Sequence, residues 1–308
     1  MNPLLATTLF CIIPLLITPL SWASSSCHME KAAVLPLRET GYTLSIPTRL
    51  EGAPLSLMID TGSEGSLLTP EALVKFKLAT IPGHNTLIAG PDGHPHLVPI
   101  ALVQTLKLGP IHFSNVPFPL GTLPKFPNIN PPLLGIIGMN LLGGYDLDID
   151  LPRHTLTLWD VQIHSLMCQQ PPAWRHLWLN LPAQRHHGRF IVPFSLDGHA
   201  GKALIDSGSR SHVISRTFVH MLGITDEQLT HDPGGEITGL IGNEHQYRWH
   251  RFHHLEIGTE SWPAPTLTVA TLHEQADMLL GAEWFQTHHI WLSAATGHVF
   301  VQGAVTTP

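Results

Sequence analysis

Two short segments of the sequence carry the same run of side chains. Asp60-Thr61-Gly62-Ser63 and Asp206-Ser207-Gly208-Ser209 each set a carboxylate, a small hydroxyl residue, a glycine and a serine in succession. Each follows an apolar stretch, Leu57-Met58-Ile59 in one case and Ala203-Leu204-Ile205 in the other. A carboxylate closing a buried strand, with glycine two positions on, suits a tight turn that other backbone can approach closely. Were the two turns to meet, their carboxylates could not both ionise freely and would share a proton. The ionised member could then take a proton from water while the protonated one donates to a carbonyl. That chemistry hydrolyses an amide without metal or organic cofactor, and neither is expected. A single triplet of this kind is weak, because an ordinary turn can contain it. Two at matching positions of a repeat are a candidate site, with Asp60 and Asp206 as the catalytic pair. The hydroxyls of Thr61 and Ser207 are expected to lock the turns together, and those of Ser63 and Ser209 to hydrogen-bond the carboxylates.

The elements that must position the turns are themselves repeated. At an offset of 146 residues (206 − 60), Leu44-Ser45-Ile46-Pro47 lies over Phe190-Ile191-Val192-Pro193. At the same offset Leu50-Glu51-Gly52 lies over Leu196-Asp197-Gly198, and Ser66-Leu67-Leu68 over His212-Val213-Ile214. Later matches shift slightly, as loop insertions and deletions do. Leu106-Lys107-Leu108-Gly109 corresponds to Leu255-Glu256-Ile257-Gly258, and Ile136-Ile137-Gly138 to Leu279-Leu280-Gly281. Residues 44–50 and 55–59, split by Glu51-Gly52, read as a β-hairpin, with a twin at 189–196 and 202–205. Residues 70–77 and 216–222 read as short helices. The chain thus divides into an N-terminal lobe at 31–160, a linker at 161–173 marked by Pro171-Pro172, and a C-terminal lobe at 174–303.

These motifs resemble those of the retropepsin and pepsin group of aspartic peptidases. The likeness covers about residues 40–160 and 186–302, that is, both copies. It implies an all-β fold of two homologous retropepsin-like acid-protease barrel lobes with short helices, related by a pseudo-two-fold axis. It also implies that the second apolar-apolar-Gly element of each lobe, Ile137-Gly138 and Leu280-Gly281, closes a ψ-shaped loop around the aspartate turn. Gly90-Pro91-Asp92-Gly93 and Gly239-Leu240-Ile241-Gly242 would tip two flaps over an extended peptide; an ordinary hairpin turn is the alternative for each. The chain departs from the retroviral pattern after these glycines. Met139-Asn140 and Ala282-Glu283 stand where an arginine would follow, and the first flap lacks the tyrosine of pepsins.

Composition narrows the alternatives. Charged residues are only 13% of 308 and hydrophobic ones 43%, so the chain can bury a core. The abundant glycine and proline, 26 and 27 residues, favour short strands joined by turns. A formal charge of -7 argues against nucleic acid as a partner, leaving a peptide or protein substrate. The apolar run at 4–20, ended by Ser21-Trp22-Ala23, is expected to be an export signal at 1–23, with an uncleaved anchor as the alternative. A periplasmic or secreted, two-lobed monomer with no stable membrane span then follows. Cys27 and Cys168 are the two cysteines outside the signal and are expected to pair, two free thiols being the alternative. The 22 histidines raise a rival reading, a metal-binding envelope protein. The pairs His186-His187, His253-His254 and His288-His289 lack zinc-motif spacing, and adjacent strand residues face opposite ways, so no metal site is expected. A second rival is a peptide-binding protein of the same fold that does not cut.

Overall fold

Alternation of apolar and polar residues dominates the chain, and that period folds as strand. The computed structural model describes residues 28–89, 93–123, 129–163, 171–175, 177–238 and 244–303. Thr43–Leu50 pairs antiparallel with Ala53–Ile59, and Arg189–Leu196 with His199–Ile205. Between each pair lies a two-residue turn with both central residues at positive φ, 49° and 80° for Glu51-Gly52 and 50° and 80° for Asp197-Gly198. That conformation matches the strand twist and explains the acidic-Gly sequence at both sites. The hairpins expected from the repeat are therefore present.

Each lobe builds its own sheet around that hairpin. In the N-terminal lobe the order is Leu67–Leu68, Leu133–Ile137, Ala53–Ile59, Thr43–Leu50, Pro95–Leu108 and Ala79–Ala89. The corresponding part of the C-terminal lobe runs Val213–Ser215, Met278–Leu280, His199–Ile205, Arg189–Leu196 and His254–Ile257. In both, the strand leading to the aspartate lies parallel to the apolar-apolar-Gly segment, with Ile59 beside Ile137 and Ile205 beside Leu280. The strand after the aspartate turn then runs antiparallel to that segment, Leu67 facing Ile136 and Val213 facing Leu279. This is the ψ-loop the resemblance implied, formed twice.

A third sheet of six strands joins the lobes. Its central partners are Asp146–Asp150 and His288–Leu292, one from each lobe, with Leu147 opposite Leu292 and Ile149 opposite Ile290. Burial of these residues makes one apolar cluster continuous from lobe to lobe. Asp146 is buried in this sheet because it has partners: Trp291 Nε1 donates to it at 2.8 Å and the Ala295 amide at 2.9 Å. The expected helices form at Pro70–Lys75 and Arg216–Met221, shorter than the pattern suggested, and are capped by the side chains of Thr69 and Ser215. Among the described residues no helix is long and apolar enough to cross a membrane.

Candidate active site

The ψ-loops fix where the aspartates sit. The Asp60 amide donates to the Ile137 carbonyl at 3.1 Å, and the Asp206 amide to the Leu280 carbonyl at 3.0 Å. Each turn is closed from the other side by Met139 N donating to Ser63 O and Ala282 N donating to Ser209 O. Gly138 and Gly281 are required here, since a Cβ on either would collide with turn carbonyls, those of Gly65 and Ser63 in one lobe and Ser211 and Ser209 in the other.

Thr61 and Ser207 then bolt the two turns together. The Thr61 hydroxyl donates to the Ile205 carbonyl at 2.7 Å and accepts the Ser207 amide at 3.0 Å. Reciprocally, the Ser207 hydroxyl donates to the Ile59 carbonyl at 2.7 Å and accepts the Thr61 amide at 3.0 Å. Both side chains are buried, so four bonds cross the lobe boundary shielded from water. The expectation for Ser63 and Ser209 was different and is corrected. Their hydroxyls turn away from the carboxylates and donate within their own turns, to Gly65 O at 2.7 Å and Ser211 O at 2.9 Å. The carboxylates are held by backbone instead: Gly62 N donates to Asp60 Oδ1 at 3.1 Å, Gly208 N to Asp206 Oδ1 at 2.9 Å, and Ser209 N to the same atom at 3.2 Å. A short turn gives its free amides to the nearest acceptor before a hydroxyl can reach it.

The glycines of the two motifs have a role across the boundary. A Cβ on Gly62 would fall on the Asp206 carboxylate, and one on Gly208 on the Asp60 carboxylate. Each aspartate therefore rests on the opposite lobe's glycine, which brings the acids into hydrogen-bonding contact. Burial, then the Asp206 charge, then the hydrogen bond between them hold Asp60 well above the usual carboxylate range. Burial also raises Asp206, but its hydrogen bonds to Asp60, Gly208 and Ser209 act downward, while the Glu274 charge adds to the rise. The two carboxylates thus titrate as one unit that favours sharing a single proton.

Sequence reasoning missed the cation beside this pair. Arg189 is buried, yet it comes from the C-terminal lobe and donates to the Gly62 carbonyl of the N-terminal turn at 3.2 Å. It also pairs with Glu64 at 2.6 Å and Glu274 at 2.8 Å. The available signal was a charged residue opening an otherwise apolar strand. Of the flap candidates, Gly93 has φ 67° and packs directly against His273 of the opposite lobe. Gly90, Gly239 and Gly242, the signal at 1–23, and the Cys27–Cys168 pair lie outside the described residues.

Two ψ-loops that present paired aspartates across a six-stranded inter-lobe sheet define a protein of the two-lobed aspartic-proteinase fold. The family model described as Aspartyl protease matches residues 46–141 and again 192–284, so the chain belongs to the aspartyl protease family. Among solved structures, the aspartic proteinase from Irpex lacteus is similar over 89% of this chain and 98% of its own, with TM-score 0.51 and 10% identity. Basic 7S globulin from soybean aligns over 90% of this chain and 95% of its own at TM-score 0.47 and 10% identity. Conglutin gamma from lupine seeds aligns over 90% and 95% at TM-score 0.49 and 12% identity. No curated protein matches the sequence.

Proposed function

We propose that the chain is an aspartic endopeptidase in which Asp60 and Asp206 act as one unit. The observation that carries this reading is the convergence of the two buried carboxylates, each seated on the other lobe's glycine. An extended peptide in the cleft pairs its backbone with flap strands such as Pro95–Leu108, and its scissile carbonyl lies over the pair. The ionised carboxylate of the pair takes a proton from water, whose oxygen attacks the carbonyl carbon. The proton on the other carboxylate passes to the carbonyl oxygen and gives a neutral gem-diol. Collapse of that diol returns a proton to the leaving nitrogen and breaks the C–N bond. The four buried hydroxyl and amide bonds of Thr61 and Ser207 hold the turns in register through these steps. Because one chain supplies both acids, a monomer suffices, and the apolar run at 4–20 supports export to the periplasm or medium.

The test is cleavage of a mixed peptide library at several pH values by the purified chain, its Asp60→Asn form and its Asp206→Asn form. Each single change should lower the rate nearly as far as the double change, because a unit fails when either member fails. Substantial activity in either variant would dismiss the dyad, and binding of peptides without cleavage by the wild type would identify a non-cutting receptor.

A further inference from the structure

The turn His186-His187-Gly188 sets two imidazoles beside the aspartate site. Extended backbone would send neighbouring histidines to opposite faces, but this backbone reverses, with φ 49° at His187 and 84° at Gly188. The rings come together with centroids 4.2 Å apart and planes at 79°. Gly188 packs on Met139, so the turn is lodged against the other lobe; a Cβ there would lie 3.1 Å from Met139 Cβ. From that lobe comes Glu64, whose Oε1 is 3.8 Å from His186 Nδ1. One ligand atom from each of Glu64, His186 and His187 lies within 4.8 Å of the other two.

We propose that Glu64, His186 and His187 form an inter-lobe site for one divalent transition-metal ion of the zinc type. Two imidazoles and a carboxylate are a ligand set zinc accepts, leaving a fourth position for water. Bonds of about 2.1 Å give a tetrahedral edge of roughly 3.4 Å, so the 3.8 Å separation closes with a small side-chain adjustment. Charge permits it. Arg189 lies near, but it is shared by two carboxylates, Glu64 and Glu274, and the local balance stays negative. Arg189 also lies 3.4 Å from His186 Nδ1, and a guanidinium only donates. Metal binding likewise uses a ring nitrogen's lone pair. The ion takes over Glu64 and His186 Nδ1 from Arg189, which retains Glu274 and the Gly62 carbonyl. Entry is open, since the Glu64 and His186 side chains are 48% and 35% exposed. The site depends on the lobes meeting and not on whether the aspartates cut.

Full-length protein without a histidine tag is titrated with Zn2+ by calorimetry and with Co2+ by visible absorption. We expect one tight site per chain, with Co2+ bands of a four-coordinate nitrogen and oxygen environment. His187→Asn, whose asparagine tolerates the positive φ, should weaken binding roughly tenfold or more, as should His186→Gln. Asp60→Asn should bind as the wild type does. Circular dichroism checks folding, and if one histidine variant is misfolded the other decides. Absence of a stoichiometric site, or equal affinity in a folded histidine variant, overturns the proposal.

Discussion

Arg189 of the C-terminal lobe donates to the carbonyl of Gly62 in the N-terminal lobe's aspartate turn, at 3.2 Å. The contact is one-sided, because the repeat sets Thr43 where a second arginine would stand. Its ion pairs with Glu64 and Glu274 offset part of the negative charge near the dyad.

Replacing Arg189 with Met should therefore act on both stability and pH profile. Stability should fall by roughly 2 kcal/mol, less than for a fully buried pair because both glutamates can regain water. The Glu274 charge already raises Asp206, so losing Arg189 should raise it further. Since the pair must lose one of its two protons to work, the acid limb of the rate profile should move to higher pH. Glu274→Gln should move it the other way. Rate profiles of the two variants check the signs, and a limb that stays fixed in both would remove Arg189 from any role at the dyad.

The dyad itself should carry a stability cost at neutral pH. Burial raises Asp60 above its ordinary 3.8, so its contribution to stability is full below that pH and is lost as pH rises through the folded value. Asp60→Asn removes the titration. Thermal unfolding should show the variant melting several degrees above the wild type at pH 7, with the gap closing in acid. A lower melting point for the variant at pH 7 contradicts this account.

Much of this arrangement was legible in the chain. The Asp-Gly and Glu-Gly hairpin turns, the paired aspartate motifs and the apolar-apolar-Gly partners all rest on local chemistry: positive φ, close approach, burial. What stayed hidden depends on contacts between segments distant in sequence. Nothing in a strand beginning with Arg189 says that its guanidinium crosses to Gly62. Similarly, Ser63 and Ser209 had plausible partners in the carboxylates, but the order in which turn amides and hydroxyls find acceptors emerges only from the folded turn. The closeness of the His186 and His187 rings was hidden for the same reason: adjacent histidines read as strand face opposite ways, and the positive φ at His187 and Gly188 reverses that geometry.

The motif glycines give a sharper test of lobe contact. Gly62→Ala and Gly208→Ala each push a methyl into the opposite aspartate and should separate the turns, reducing cleavage by at least 100-fold, about 2.7 kcal/mol in the barrier. Gly144→Ala, with open space around the new methyl, should remain within about 0.5 kcal/mol of wild type. Peptide-cleavage rates and melting temperatures of the three proteins check this, and near-normal cleavage by Gly208→Ala would contradict the glycine–aspartate contact.

His212 should limit stability in acid. It occupies the place of Ser66 in the repeat, and both side chains accept the amide of their lobe's ψ-loop glycine, Gly281 at 3.1 Å and Gly138 at 3.0 Å. Burial, helped by the nearby His288, lowers His212 from 6.5 to about 4. The unfolded chain then binds the extra proton first, so this contribution is complete above about pH 6.5 and lost progressively as pH falls toward 4. The loss is on the order of 2–3 kcal/mol. His212→Ser should rebuild the N-terminal lobe's bond to the glycine amide without the titration. Its melting temperature should change less than the wild type's between pH 6.5 and 4, even if both are similar at pH 7.5. A parallel decline in the two proteins would assign the acid sensitivity to other groups.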